Sequence, residues 1–140
     1  MPLGVSAGEQ VVEITKEKDV VILQVTEDDL ADPQRTSSVI EQLLREDGEN
    51  KIVVDLSRVQ NIYSLQIGTL VTIHVLCYEN VAVMKLAGAN QKLRELLRMV
   101  GLEALMEMHH GTGVAVESFG PPAGEQGVRR DGPLDPRVKR

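Results

Sequence analysis

Lys51-Ile52-Val53-Val54-Asp55-Leu56, Tyr63-Ser64-Leu65-Gln66-Ile67-Gly68, Val81-Ala82-Val83-Met84-Lys85-Leu86 and Asn90 through Val100-Gly101-Leu102 follow one another along a single stretch of chain. The first and third segments are apolar on both alternating sides, the pattern of strands covered on both faces of a sheet. The second opens a long apolar segment, read as a helix over Ser64–Tyr78 although Val, Ile and Thr are modest helix formers. The fourth is amphipathic. Asn90 is a suitable N-cap and Leu93, Leu96, Leu97 and Val100 share a face. Gly101 suits a left-handed C-cap, from which Leu102 can pack back on Leu97 in a Schellman motif. Strand, helix, strand, helix predicts a βαβα unit with a parallel sheet. In such units the loop entering a helix is where chemistry is presented, because helix N-termini carry free N–H groups and partial positive charge. Here that loop carries the hydroxyl of Ser64. It lacks a glycine-rich cradle, a metal cluster and a nucleophile–base pair.

Upstream, Val11–Thr15 and Val20–Val25 are β-branched runs around the polar turn Lys16–Asp19, and read as a hairpin. Asp28-Asp29-Leu30-Ala31-Asp32 reads as an acidic loop. Asp32-Pro33 is a strong helix start, with Asp32 as cap and Pro33 in the first turn. Val39, Ile40, Leu43 and Leu44 then share a face, and Gly48 stops the helix. Downstream, Leu105–Met108 is expected as a last edge strand and Thr112–Phe119 as a short final helix. Residues 1–10 read as a leader, 11–119 as one α/β domain, and 120–140 as a disordered Pro/Gly-rich tail. The tail holds five bases and three acids, net +2, which leaves −8 on the rest of a chain whose net charge is −6.

At 140 residues, 42% hydrophobic and 2% aromatic, the chain has room for one aliphatic core. The acidic balance argues against phosphate-backbone binding, and the scarcity of aromatics against stacking on single strands, so no nucleic-acid partner is expected. Cys77 is the sole cysteine and sits in an apolar helix, which predicts a buried, inert thiol. The first residues lack the basic and apolar regions of a signal peptide, and no apolar run is long enough to span a bilayer. Those readings predict a cytoplasmic protein with no integral membrane segment.

Several residues have both a functional and a purely architectural reading. Ser64 is a modification site or a helix cap. Asp28, Asp29 and Asp32 form a recognition loop or a solvated acidic loop; calcium loops spread their ligands differently. His109 and His110 are adjacent, so in a strand they face opposite ways and do not make a metal site without other ligands. His74 reads as a half-buried, hydrogen-bonded side chain. Tyr63 and Tyr78 are the scarce aromatics of the working helix, as interface anchors or as half-buried packing. No cofactor, no metal and no catalytic constellation is expected.

The order of elements, the segment Ile52-Val53-Val54-Asp55-Leu56-Ser57-Arg58-Val59 and the helix ending in Gly101-Leu102 resemble the STAS domain, the fold of bacterial anti-anti-sigma factors (anti-sigma factor antagonists). The resemblance covers about Val11–Phe119. It implies an α/β fold with a central mixed sheet of four to five strands and helices packed on it. It also implies a non-enzymatic regulatory module whose partner is an anti-sigma factor that is also a serine kinase. In that family the loop after the third strand reads Asp-Ser-Ser/Thr-Gly-Leu-Gly, and its second hydroxyl is phosphorylated. On this chain Tyr63 falls where Asp is usual and Ser64 matches the first hydroxyl. Leu65 falls on the phosphoacceptor, Gln66 replaces the first Gly, and Ile67 and Gly68 keep the pattern. The Gly usual after the second strand is also missing from Thr26–Asp32. The resemblance thus implies a partner surface around Asp28, Asp29, Asp32, Tyr63, Ser64, Leu65, Gln66 and Gly68. It implies a charge switch that is lost, or moved to Ser64. The alternative is an accessory STAS subunit of a signalling scaffold or a lipid-transport ATPase complex.

Overall fold

The computed structural model describes residues 12–121. The leader up to residue 10 and most of the 120–140 tail lie outside them. The chain runs β1 (Glu13–Glu17), β2 (Val20–Gln24), α1 (Glu27–Leu30), α2 (Pro33–Glu41), β3 (Lys51–Asp55), α3 (Ser64–Glu79), β4 (Val83–Ala87), α4 (Gln91–Met99), β5 (Met108–His109) and α5 (Thr112–Glu117). A π-helical turn (Gln42–Glu46) extends α2, and a 3-10 turn (Leu102–Ala104) precedes β5. The strands form one five-stranded sheet in the order β1-β2-β3-β4-β5. The β1–β2 hairpin is antiparallel and the other pairs are parallel, so the sheet is mixed.

Alternation along the strands divides the core. Val21, Leu23, Ile52, Val54, Met84 and Leu86 face α2, α3 and α4, where they meet Ile40, Leu43, Leu70, Ile73, Leu93 and Leu97. The opposite face carries Val20, Ile22, Val53 and Ala87, covered by Ala115, Val116 and Phe119 of α5 and its end. Lys85 lies on this second face. Its ammonium donates to Ser118 Oγ at 2.7 Å, pairs with Glu107 at 3.1 Å and sits 4.2 Å from the Phe119 ring centroid. A fully buried Leu or Ile contributes roughly 1.5–3 kcal/mol, so the larger first face is the main source of stability. Cys77 is buried in it, and burial pushes its thiol up to about 12. An unreactive thiol is what the apolar segment predicted.

Local signals account for most boundaries. Asp32 Oδ1 accepts from the Arg35 N–H at 3.1 Å, with Pro33 in the first turn. Asn90 Oδ1 accepts from the Leu93 N–H at 2.7 Å. Gly101 has φ +89, its N–H bonds the Arg98 carbonyl at 3.0 Å, and Leu102 and Leu97 are buried in the same core. The π-helical turn at the end of α2 allows both Leu43 and Leu44 to be buried.

Four expectations change. The acidic segment at Asp28 and Asp29 is helix α1, not a loop: Thr26 and Asp29 form a capping box. β4 begins at Val83, because Val81 (φ +56) closes the end of α3. The last strand is two residues long and starts at Met108, after a turn that ends near Leu105. The final helix ends at Glu117 rather than Phe119.

Candidate functional site

The carboxyl ends of β2, β3 and β4 carry α1, the segment from Ser57 to Ile62, the first turn of α3 and the turn at Gly88. This is the end at which open parallel sheets present their working loops. Its floor is Asp55, buried at the end of β3, which accepts from Gln24 Nε2 at 3.1 Å and from the Ser57 N–H at 3.0 Å. Gly88 has φ +78, and a Cβ there would lie 2.8 Å from Asp55 Oδ1. Only glycine permits both the backbone conformation and the close approach.

Side chains that reach across to backbone groups hold α1 against α3. The Glu27 carboxylate accepts from the N–H groups of Gln60 (2.8 Å) and Asn61 (3.0 Å). Those two donors, Asn61 first, hold its carboxyl below the usual range. Gln66 Nε2 donates to the Glu27 carbonyl at 3.1 Å, while its Oε1 accepts from the Tyr63 N–H at 2.7 Å. Thr69 Oγ1 donates to the Leu30 carbonyl at 2.6 Å. Asp29, buried, accepts from the Thr26 N–H at 2.8 Å and pairs with Arg35 at 2.7 Å. Thr36 Oγ1 donates to the Asp29 carbonyl. Apart from the exposed Gln60 N–H, the backbone groups in these bonds are buried or half-buried, so losing such a bond leaves an unsatisfied partner.

The residues singled out from the sequence therefore separate into two sets. Asp28, Tyr63, Ser64, Leu65 and Gly68 lie on the surface, with Tyr63 69% and Leu65 56% exposed. Asp29 and Gln66 are buried and engaged inside the fold, so they shape the surface rather than form it. Asp32 is half-buried and caps α2. The cap position of α3 belongs to Tyr63; Ser64 is the first helical residue and its hydroxyl makes no hydrogen bond to another described residue. The capping reading of Ser64 is thereby replaced by an exposed hydroxyl beside free helical N–H groups. Glu27, Thr69 and Arg35 were not singled out; the Thr26-x-x-Asp29 spacing was the signal that a short helix, and hence such a network, lay there.

Elsewhere, His74 is half-buried as read, but its Nδ1 is a buried atom without a hydrogen-bond partner among the described residues. His109 Nε2 bonds Glu107 at 3.0 Å, and His110 approaches Arg94 instead. Among the described residues no group of three His, Cys, Asp or Glu side chains is placed to hold a metal ion. No helix among them is long and apolar enough to cross a membrane.

A mixed sheet with helices on both faces and an exposed, hydrogen-bonded helix entry at its carboxyl end defines a class of small α/β modules. The chain belongs to the STAS domain family, whose model matches residues 11–115. No curated protein matches it. Among solved structures, the fold is shared with a candidate anti-sigma factor antagonist from Thermotoga maritima (TM-score 0.66, 22% identity, 76% of this chain and 92% of that one). It is shared with a variant of RsbS from Moorella thermoacetica (TM-score 0.67, 15% identity, 78% and 94%). A third is the Bacillus cell fate determinant SpoIIAA in its phosphorylated form (TM-score 0.59, 11% identity, 78% and 99%).

Proposed function

We propose that this protein is a non-enzymatic, cytoplasmic regulatory module of the anti-sigma factor antagonist kind, which binds an anti-sigma factor of the serine-kinase type. The contact surface runs from Asp28 over Tyr63, Ser64, Leu65 and Gly68 along the outer side of α3. The observation that carries this reading is the entry of α3: two exposed apolar side chains, Tyr63 and Leu65, flank an unengaged hydroxyl on a helix start that the Gln66 and Glu27 bonds hold in place. A pre-ordered surface loses little entropy on binding, and an exposed tyrosine is a good anchor.

The family's phosphoacceptor position holds Leu65, which cannot accept a phosphoryl group. The charge switch is lost, or it has moved one residue to Ser64. A phosphoryl group adds about −1.5 to −2 charge. On Ser64 it would lie beside the N–H groups of the first turn, where negative charge is locally favoured. The same charge inside an apolar interface, near Asp28, opposes docking. Phosphorylation would then release a partner without refolding the domain.

Leu65 also favours a second reading, an accessory subunit of a signalling scaffold or a lipid-transport ATPase complex, in which this surface docks permanently. Affinity capture from the native host separates the two. An anti-sigma serine kinase supports the antagonist; a transporter ATPase or a multi-STAS scaffold supports the accessory subunit. Ser64→Asp tests the switch. Binding should weaken about tenfold or more, the scale of a like-charge or desolvated-charge penalty. Unchanged affinity in a folded variant, or abundant native phosphorylation at another residue, would remove Ser64 from the mechanism.

A further inference from the structure

Helix α3 turns a regular stripe outward along its whole length. After Ser64, its exposed positions are Leu65, Gly68, Thr72, Val75, Tyr78 and Glu79. Five of them, Leu65, Gly68, Thr72, Val75 and Glu79, follow one another at steps of three, four, three and four. That is the heptad seam of a helix that pairs with another helix. Val75 is 43% exposed and Tyr78 78%, and Val81, just past the helix end, is 88% exposed. Of the sixteen residues of α3 only Glu79 is charged, His74 apart. A solvated helix face carries charges, whereas a contiguous apolar one marks a contact surface.

Gly68 lies in the middle of this stripe. A Cβ there would meet nothing within 4 Å, so the single chain does not require glycine at this position. Glycine inside a helix weakens it relative to alanine. What it permits is the close approach of another backbone from outside.

The stripe is complementary to itself when reversed. Set antiparallel against a second copy, with a twofold axis between Gly68 and Thr72, it forms the layers of an antiparallel helix pair. Leu65 meets the second copy's Val75, Gly68 meets the second copy's Thr72, and Tyr63 comes beside the second copy's Tyr78. The twofold axis makes each of these contacts twice. The one charge fits the same arrangement. Glu79 has no salt-bridge partner among the described residues. In the antiparallel pair it lies at the entry of the second copy's α3, whose first-turn N–H groups carry partial positive charge. A parallel pair would set two Glu79 carboxylates side by side.

We propose that two copies of this chain form a twofold dimer by pairing their α3 stripes antiparallel. A helix about 24 Å long offers less than the roughly 800 Å² per partner of a standard interface, so the dimer is weak and exchangeable. It covers the surface assigned above to a regulatory partner, and the two therefore exclude each other. The pairing rests on α3 alone and is tested with no partner present, so it stands or fails separately from that assignment.

The test uses the full chain. Sedimentation from about 1 to 300 μM, the range in which small interfaces associate, should show a monomer–dimer equilibrium. Val75→Glu sets a carboxylate against the second copy's Leu65 twice per dimer. It should weaken association about tenfold or more while leaving Tm unchanged, since Val75 is half exposed. Orientation is read by mixing Leu65→Cys protein with Val75→Cys protein under mild oxidation. Disulfides should join unlike copies, because like copies hold their cysteines about 15 Å apart along the helix, beyond the roughly 7 Å between Cα atoms that a disulfide spans. Cys77 is buried, with its thiol pushed up to about 12, and stays out of the exchange. A chain that is monomeric over the whole range would overturn the proposal. So would a dimer undiminished in folded Val75→Glu, or disulfides as frequent between like copies as between unlike ones.

Discussion

The two ends of the sheet solve the same problem differently. At the carboxyl end, α1 and the start of α3 are fixed by side chains that bond backbone groups of another segment: Glu27 to Gln60 and Asn61, Gln66 to Glu27, Thr69 to Leu30. At the amino end, α3 closes within its own last turn, through backbone bonds and the Asn80 side chain, which donates to the Leu76 carbonyl at 2.8 Å, with a valine in a conformation that suits glycine. One end has polar order beneath an exposed rim; the other has exposed apolar side chains above strained backbone. Order of the first kind lets a surface meet a partner without rearranging. Exposure of the second kind is tolerated where something else covers it.

The largest effect should come from the carboxyl end. Asp29 is buried and bonds both the Thr26 N–H and Arg35, whose side chain keeps about a quarter of its exposure. Asp29→Ala removes the acceptor of both and should cost about 3 kcal/mol, or some 12 °C in Tm for a domain of this size. Hydrogen exchange should accelerate over residues 26–36 and spare residues 76–83. Equal acceleration at both ends would show that the two are not independent.

The contrast can be sharpened at two helix ends that each close on a left-handed residue. α3 closes at Val81 (φ +56) and α4 at Gly101 (φ +89). A Cβ on Gly101 would meet nothing within 4 Å, so backbone strain alone separates the two sites. Val81→Gly should stabilise the fold by about 0.5–1 kcal/mol, the left-handed strain relieved less the greater freedom of glycine in the unfolded chain. Gly101→Val should destabilise it by a similar amount, and the double exchange should lie near the parent. Thermal unfolding of the three variants reads this directly. If Val81→Gly brings no gain, another contact compensates the strain in the parent.

These sites also mark what was legible before the structure. The β-branched runs at Val20–Val25 and Ile52–Val54, the Asp32-Pro33 start, the Asn90 cap and Gly101 are signals that local chemistry decides, and the mixed sheet follows from them. Val81 reads as strand because it is β-branched; the closure of α3 by the Val81 and Ala82 N–H groups overrides that preference. The α1 segment reads as a loop because three aspartates in five residues suggest a solvated stretch, although Thr26-x-x-Asp29 has capping-box spacing. In the site, the position of Ser64, Leu65 and Tyr63 at the entry of α3 was readable, but which side chains turn inward was not. Asp29 is buried because Arg35 of the next helix is there to meet it, and Gln66 because the Glu27 carbonyl, 39 residues away in sequence, is.

The smallest expected effect tests how the polar rim depends on pH. The folded-state carboxyl of Glu27 is lowered from 4.5 by the Asn61 and Gln60 N–H groups. A lowered carboxylate contributes stability that is fully present above the unfolded value and lost as pH falls through the folded one. The segment from Gln60 to Tyr63 should therefore loosen on acidification below about pH 4.5, ahead of the core. Glu27→Gln keeps an oxygen acceptor for the two N–H groups but removes the charge. It should flatten this part of the profile and change stability little near neutral pH. Amide chemical shifts of Gln60 and Asn61, followed from pH 7 downward, report the step in the parent. The same step in Glu27→Gln would mean that another carboxylate, with Asp28 nearest in sequence, governs the rim.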